Sequence, residues 1–240
     1  MDVLDQAAQV RPGEELPKGP LAAYLQAALG LGGATELAIS QFPGGYSNLT
    51  YLVRCGDREL VLRRPPFGSK VKSAHDMGRE FRILRALYPI YGKVPRPLSF
   101  CDDDSVLGAP FYLMERVPGV ILRKSPQPEL GLTAAKLPAL CAALCDTLCE
   151  LHALDWAKAG LSELGRPEGY VERQVSGWSK RYRDAQTDEV PVVSEVMDWL
   201  AAHIPTSPPP TLVHNDFKFD NLILDPHDLT RVVAVLDWEM

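Results

Sequence analysis

Residues 211–239, TLVHNDFKFDNLILDPHDLTRVVAVLDWE, contain the pattern that decides the fold. Two short apolar runs, LIL and VVAVL, flank a turn-forming segment with proline and aspartate. Short β-branched runs around such a turn predict a β-hairpin rather than a helix. Closing this hairpin brings Asp237, after the second run, back beside the polar residues that precede the first. We therefore expect Asp216, Asn221 and Asp237 to converge on one point, where their oxygen atoms suit Mg²⁺.

The spacing of the polar residues is more informative than their composition. HNDFKFDN, residues 214–221, followed by Asp237, matches the kinase catalytic loop H-x-D-x-x-x-x-N and its later metal-binding Asp. In that chemistry an Asp accepts the proton of the substrate hydroxyl, an Asn and a second Asp hold Mg²⁺, and a Lys steadies the transferring phosphoryl group. A solvated loop between two buried strands is the alternative, but loop polarity alone sets no such spacing. The pattern thus predicts that Asp216 and Lys218 are catalytic. Asn221 and Asp237 are the predicted metal ligands.

Composition excludes several classes of protein. The chain has 240 residues, 46% of them hydrophobic, which suffices for a sizeable core in one or two domains. A net charge of −6 without a basic cluster argues against a nucleic-acid partner. No apolar run is long enough to span a bilayer, and the N-terminus lacks a secretory-signal pattern, so we expect no membrane association.

The five cysteines lack CxxC spacing, which indicates a reducing compartment and a cytoplasmic location. Cys141, Cys145 and Cys149 recur every four residues in a Leu/Ala-rich stretch. We expect them to form a packed stripe on a helix, because free cysteine behaves as a small hydrophobic residue.

The N-terminal third changes from helical to β patterning. Residues 1–35 are expected to form a loose leader, rich in Pro and Gly up to residue 19, and then a helix between Pro20 and Gly30. Three short runs follow, LAISQF, TYLVRC and ELVLR, which predict strands. A Gly-Asp pair between the second and third runs predicts a hairpin turn.

The loop between the first two predicted strands is a candidate phosphate-binding loop. It offers backbone N–H groups and two polar side chains to a nucleotide. A Gly-Gly pair is also an ordinary turn device, and the loop departs from G-x-G-x-x-G, so by itself this signal is weak. The residues concerned are Gly44, Gly45, Ser47 and Asn48.

A basic residue ends the third predicted strand. Arg63 stands where a protein kinase keeps its phosphate-pairing Lys, although Arg presents a planar fork instead of a point charge. A helix is predicted over residues 74–87, with Ser73 as its cap. Glu80 on this helix is the candidate partner of Arg63. An ordinary surface charge is the other interpretation of Glu80.

The run PFYLMER predicts another strand, and the Val117-Pro-Gly break after it is where two lobes would join. The backbone of Met114, Glu115 and Val117 is placed there to hydrogen-bond an adenine. Beyond this point the pattern is helical, near residues 133–154, 167–184 and 192–203. Three large side chains are the expected core anchors of the last two helices: Trp178, Met197 and Trp199.

Taken in order, these motifs resemble the aminoglycoside phosphotransferase/choline kinase-like family, and within it the branch associated with acyl-CoA dehydrogenases. The resemblance is carried by FPGGYSNLTYLV, LVLRRPP, SAHDMGREFRIL, PFYLMERVPG, HNDFKFDN and LDWE, and it covers about residues 36–240. It implies an α+β, bilobal, protein-kinase-like fold. The β-rich nucleotide-binding N-lobe would span residues 36–117, and the mostly helical C-lobe residues 118–240.

The resemblance also implies a function, namely ATP-dependent phosphoryl transfer to a hydroxyl group of a small molecule, with a hydroxyacyl compound as one candidate acceptor. ATP and Mg²⁺ would be the cofactors. Asp216 would be the base, and Lys218 stands where the family carries a basic residue. The other implied roles are metal ligation by Asn221 and Asp237, lobe bridging by Arg63 and Glu80, and adenine contact by residues 114–117.

Two other interpretations stay open at this point. Members of the family continue past LDWE, so an incomplete C-lobe is expected, and a truncated, non-catalytic nucleotide-binding or scaffold protein is the main alternative. A metal-dependent hydrolase using the same His/Asp/Asn cluster is the second, although such sites usually have more His and carboxylate ligands. The sequence sets neither the acceptor, the preference for ATP over GTP, nor the oligomeric state.

Overall fold

The structure is a computed structural model that describes residues 4–31, 36–43, 48–68, 76–123, 128–206 and 209–238. The chain divides into two compact units. The first consists of Met1–Leu154 with Val213–Met240, and the second of Asp155–Leu212. The first unit contains all the strands named below and the candidate site.

An antiparallel five-stranded sheet forms the centre of the first unit, in the order β1-β2-β3-β5-β4. A separate two-stranded hairpin joins β6 to β7. Both hairpins predicted from the sequence, β2–β3 and β6–β7, are present. The strands are β1 Leu37–Gln41, β2 Leu49–Cys55, β3 Arg58–Arg64, β4 Pro97–Cys101, β5 Phe111–Glu115, β6 Leu222–Leu224 and β7 Val232–Val235.

Six α-helices accompany these strands in the described part of the chain. Gly30 ends the first in the left-handed conformation, as its position after the apolar run predicted. The helices are α1 Lys18–Leu29, α2 Met77–Tyr91, α3 Asp104–Leu107, α4 Leu137–His152, α5 Tyr170–Ala185 and α6 Pro191–Ala202.

Along the central strands, alternate side chains face the hydrophobic core and the candidate site. In β3, Leu60 and Leu62 belong to a buried cluster with α1, whereas Val61 and Arg63 line a cleft. Strand β5 repeats the division, because its Tyr112 lines the same cleft. Successive side chains of a strand point to opposite faces, so this alternation follows directly from the sequence.

The expected loose leader is wrong for residues 4–17, which pack onto the sheet. Ala8 and Gln41 exchange two backbone hydrogen bonds of 2.8 Å, which extends the β1 edge by one bridge. The Tyr51 hydroxyl donates to the carbonyl of Glu14 at 2.8 Å, and Leu16 is buried. Pairing and covering a sheet edge satisfies backbone groups that would otherwise be open to other chains.

Helix α2 begins later than the sequence indicated. Its first residue is Met77, and Asp76 caps it by accepting a 2.8 Å hydrogen bond from the N–H of Arg79. Aspartate at an N-cap satisfies an N–H group that has no partner within the helix. The predicted cap, Ser73, lies outside the described residues.

The predicted cysteine stripe is wrong. Cys141, Cys145 and Cys149 are all exposed, while α4 buries Leu140 and Leu151. Because Ala, Leu and Cys surround most of this helix, the sequence pattern does not distinguish which face packs.

The second unit contains α5 and α6. Met197 is buried, as predicted, but Trp178 and Trp199 are 61% and 58% exposed. The Trp178 ring faces the guanidinium of Arg181 at 4.7 Å, and the Trp199 ring stacks on His203 at 4.4 Å. Two paired helices bury only the stripe along which they meet, so large side chains elsewhere stay at the surface.

Candidate active site

A cleft of about 720 Å³ lies in the first unit, beside the face of the sheet opposite α1. Gly44, Gly45 and Ser47 lie outside the described residues, and their phosphate contacts stay predictions. The other ten predicted site residues all line this cleft: Asn48, Arg63, Glu80, Met114, Glu115, Val117, Asp216, Lys218, Asn221 and Asp237.

Asp216 is held by two neighbours on one side of its carboxylate. Lys218 Nζ lies 2.7 Å from Oδ2, and Asn221 Nδ2 donates to the same oxygen at 3.0 Å and to the Asp216 carbonyl at 2.9 Å. The hydrogen bond to Asp216 raises the pKa of Lys218, which therefore stays a cation. Among the described residues, the hydrogen bonds of this carboxylate involve Oδ2 only, and Asp216 lines the cleft.

His214 fixes the loop that carries Asp216. Its Nε2 lies 2.8 Å from the carbonyl of Leu236, and its Nδ1 accepts a 3.3 Å hydrogen bond from the N–H of Asp216. A carbonyl only accepts, so Nε2 carries the hydrogen and the ring is the neutral tautomer. Burial lowers the pKa of His214, which favours this neutral form. The N–H of Leu236 in turn donates to the carbonyl of Asn221 at 2.8 Å, so the loop and the end of β7 form one unit.

The backbone at two site positions is left-handed. Asn215 has φ 67° and Asp237 has φ 68°, values that residues with a side chain rarely adopt but that Asn and Asp tolerate best. The next residue, Trp238, is buried, and its ring lies 4.7 Å from that of His214. Trp238 Nε1 also donates to the carbonyl of Val235 at 3.0 Å. This packing holds the strained Asp237 at the edge of the cleft.

Arg63 bridges two carboxylates, one of which the sequence did not indicate. Its Nη1 lies 2.5 Å from Glu80 Oε1, and its Nη2 lies 2.9 Å from Asp237 Oδ1. The side chain of Glu80 is only 1% exposed, so the interpretation of Glu80 as a surface charge is wrong. Burial lowers the pKa of Arg63, but the charges of Glu80 and Asp237 outweigh it and the net pKa is raised. The planar fork of Arg can bind two acceptors at once, whereas Lys presents a point charge.

Tyr112 is a cleft residue that the sequence analysis missed. It pairs with Arg63 across β3 and β5 and is fully buried. Burial raises the pKa of its hydroxyl well above the ordinary value, and the charge of Glu80 adds to the effect, so the hydroxyl stays protonated. The signal was available, because Tyr112 stands two residues before Met114 on one strand and so shares its face.

The end of β5 and the residues that follow it line the cleft. Met114 is buried, and the N–H of Glu115 already donates to the carbonyl of Arg96 at 2.9 Å. This N–H is therefore already used within the fold. Val120, just beyond, exchanges two backbone hydrogen bonds with Leu224, which ties this segment to the β6–β7 hairpin.

The donor set fits a magnesium ion that arrives with phosphates. Asn221 and Asp237 both line the cleft and supply an amide and a carboxylate oxygen, and Mg²⁺ usually takes one or two such ligands with phosphate and water. Within the described part of the chain, no group of three His, Cys, Asp or Glu residues is arranged to hold a metal. The site therefore suits a metal shared with a ligand rather than a closed protein cage.

Comparisons with known proteins show which family the chain belongs to. The chain belongs to the phosphotransferase enzyme family (APH), whose model matches residues 38–240. It is 41% identical to acyl-CoA dehydrogenase family member 10 of Mus musculus over 231 residues, covering 96% of this chain and 21% of that protein. It is 38% identical to family member 11 of Homo sapiens over 237 residues, covering 97% and 30%. The chain thus spans less than a third of the length of these relatives.

Solved structures show the same fold. A candidate aminoglycoside phosphotransferase from Ralstonia eutropha has a TM-score of 0.79 and 32% identity, covering 94% of this chain and 65% of that one. A thermostable mutant of aminoglycoside phosphotransferase APH(4)-Ia, solved with ADP and hygromycin B, has a TM-score of 0.58 and 18% identity, covering 91% and 70%. The family, the branch and the α+β protein-kinase-like fold predicted from the sequence are confirmed. In the part of the chain that the structure describes, no helix is long and apolar enough to cross a membrane.

Proposed function

We propose that this chain is an ATP-dependent phosphotransferase that acts on a hydroxyl group of a small molecule. The observation that carries the proposal is the meeting of Asp216, Asn221 and Asp237 in one cleft with a buried Arg63–Glu80 pair. Membership of the phosphotransferase family supports the same class of chemistry. Related structures solved with nucleotides, such as APH(4)-Ia with ADP, support ATP as the phosphoryl donor.

In this proposal the acceptor hydroxyl meets Oδ1 of Asp216. As the hydroxyl oxygen forms a bond to the γ-phosphorus, the bond from that phosphorus to the bridging oxygen breaks and ADP leaves. The hydroxyl proton passes to Asp216, a general base. Lys218 and Asn221 hold the other carboxylate oxygen, which fixes the direction of Oδ1. Positioning and charge, more than covalent chemistry, would supply the rate.

Asn221 and Asp237 would hold Mg²⁺, which when bound neutralises charge on the phosphates. Arg63 keeps Asp237 oriented toward the cleft and brings a second positive charge to the same place. An adenine would lie against Met114 and near Val117, at the other end of the cleft. The division into a nucleotide-binding lobe over residues 36–117 and a second lobe over 118–240 stays a prediction. The cytoplasmic location also stays a prediction.

The test is product formation from ATP, Mg²⁺ and a panel of hydroxyl compounds that includes hydroxyacyl compounds and aminoglycosides. Mass spectrometry would identify the phosphorylated product, and a coupled assay would follow ADP. Asp216→Asn should lower the rate by about 10²–10⁴-fold, the usual contribution of a positioned base. Asp146→Asn, which changes an exposed carboxylate on α4, is the matched control and should keep the wild-type rate.

The competing functions give different results in the same assay. A chain that binds ATP but phosphorylates no compound would be the non-catalytic nucleotide-binding protein. Phosphate release without any acceptor would indicate a hydrolase. Either result would overturn the proposal.

A further inference from the structure

The N-terminal segment places one carboxylate in the wall of the cleft. The N–H of Asp5 donates to the carbonyl of Gly119 at 2.9 Å, and its own carbonyl accepts from Arg116 Nη2 at 3.1 Å. Its side chain accepts from Arg123 Nη2 through Oδ1 at 2.9 Å. Asp5 and Arg123 both line the cleft. Neither residue has a part in the chemistry described above.

The position of Asp5 within the cleft limits what it can contact. Gly119, which accepts the hydrogen bond from the N–H of Asp5, follows Val117 by two residues. Asp5 therefore lies at the end of the cleft assigned to the nucleotide base. The phosphate end is marked by Asp237 and its partner Arg63. In a nucleotide, the sugar joins the base to the phosphates. With the base near Val117 and the phosphates toward Asp237, the sugar therefore lies beside the base end of the cleft.

The chemistry of the Asp5 carboxylate further limits which part of a nucleotide it can contact. An ionised carboxylate only accepts hydrogen bonds, and it repels phosphate groups. Among the described residues, the hydrogen bonds of the Asp5 carboxylate involve Oδ1 only, which leaves Oδ2 for a ligand. The side chain is 21% exposed, and partial burial raises its pKa while Arg123 opposes the change. The carboxylate is thus a fixed part of the wall and not a freely solvated surface group.

We propose that Asp5 selects ribonucleotides by accepting a hydrogen bond from a ribose hydroxyl of ATP, with Arg123 holding its carboxylate in place. The inference rests on the proposed function, because it requires the nucleotide to lie in this cleft. It adds a residue far from the catalytic motif to the nucleotide site. The simpler alternative is a clamp, in which Asp5 only fastens the N-terminal segment to the rest of the unit.

Glu59 provides a matched control for this alternative. Its carboxylate pairs with Arg116 at 2.6 Å and with Arg54 at 2.7 Å, and Arg116 also bonds the carbonyl of Asp5. Glu59 belongs to the same group of charges but does not line the cleft. Glu59→Gln therefore removes one negative charge from this group without changing the carboxylate that faces the ligand.

The experiment is calorimetric titration of the wild-type chain, Asp5→Ala and Glu59→Gln with ATP, 2′-deoxy-ATP, 3′-deoxy-ATP and ITP, each with Mg²⁺. The wild type should bind ATP about tenfold or more tightly than at least one deoxy analogue, because a hydrogen bond to a charged group is lost. Asp5→Ala should bring that ratio close to one, and Glu59→Gln should keep it. Circular dichroism checks folding, and the isosteric Asp5→Asn, whose neutral amide oxygen accepts more weakly, should give an intermediate ratio.

Each of the following results would overturn the inference. An unchanged ratio in Asp5→Ala would identify a clamp, and a wild type that does not distinguish the analogues would remove the basis for selection. If Asp5→Ala instead changes the ratio of the affinities for ATP and ITP, Asp5 contacts the nucleotide base. A wild type that binds no nucleotide would overturn the proposed function as well. A wild type that transfers phosphoryl groups yet ignores the ribose hydroxyls would overturn this inference alone.

Discussion

Replacing Arg63 by methionine removes the guanidinium that pairs with both Glu80 and Asp237. The side chain of Glu80 is 1% exposed and that of Asp237 is 27% exposed, so the two carboxylates respond differently. Removing one partner of a buried ion pair costs about 3–5 kcal/mol, whereas a more exposed pair contributes about 1 kcal/mol or less. We therefore expect Arg63→Met to lower the free energy of unfolding by roughly 4 kcal/mol, mostly through Glu80.

A second substitution isolates the electrostatic part of this loss. In Arg63→Met/Glu80→Met both buried charges are gone, so the double variant should be more stable than Arg63→Met by about 2 kcal/mol or more. The penalty in the single variant should also be smaller at acidic pH. Without the guanidinium, burial favours a protonated Glu80, and a group that binds its proton more tightly when folded stabilises the fold as the pH falls.

Urea unfolding followed by circular dichroism measures these differences, provided that all variants share one slope. Arg64→Met is the matched control. Arg64 is also buried, but its guanidinium faces the Phe67 ring at 3.7 Å and the carbonyl of Leu107 at 3.1 Å instead of a carboxylate. The loss of stability in Arg64→Met should not depend on pH, and adding Glu80→Met should not restore any of it. A cost below about 1 kcal/mol for Arg63→Met, or a double variant no more stable than the single one, would refute the reasoning.

Three further outcomes are expected. Gly119→Ala should destabilise the fold by about 1–3 kcal/mol or more in urea, because the added Cβ would lie 2.3 Å from Ile223 Cγ2; Gly177→Ala, with open space around it, should not. The free energy of unfolding of His214→Gln, measured in urea, should differ less from that of the wild type at about pH 5.5 than at about pH 7.5. Burial lowers the pKa of His214 in the folded chain, whereas the unfolded chain has a pKa near 6.5 at this residue and takes up the proton more readily. The wild type therefore loses stability as the pH falls, and a difference in stability between the two proteins that stays constant with pH would contradict this. Arg63→Lys should weaken binding of ATP with Mg²⁺ by about tenfold in calorimetry, because an ammonium lacks the fork; wild-type affinity would count against it.

The parts of the site that the sequence predicted are those set by local spacing. Asp216 and Asn221 lie in one loop, and Asp237 follows the hairpin that returns to it, so one motif and one turn bring them together. The side-chain alternation along β3 and β5 also predicts which residues face the cleft. Such patterns are determined by strand geometry and need no knowledge of distant parts of the chain.

The contacts that the sequence could not predict join residues that are far apart in the chain. Arg63 and Asp237 are separated by 174 positions, and Asp5 and Arg123 by 118. No period or turn signal links such pairs, and only the packed fold brings them together. The exposure of Trp178 and the three α4 cysteines has a related cause, because hydrophobicity predicts burial but not which face of a helix finds a partner.

The separate roles of Asp237 and Asp216 can be measured most directly by calorimetric titration of ATP, with and without Mg²⁺, into Asp237→Ala and Asp216→Asn. Circular dichroism would confirm that both variants are folded. Asp237→Ala should abolish Mg²⁺-dependent nucleotide binding, because it removes the full charge assigned to the metal. Asp216→Asn should bind nucleotide nearly as the wild type does, while its phosphoryl transfer falls by about 10²–10⁴-fold. If Asp216→Asn loses nucleotide as completely as Asp237→Ala, the assignment of base and metal ligand is contradicted.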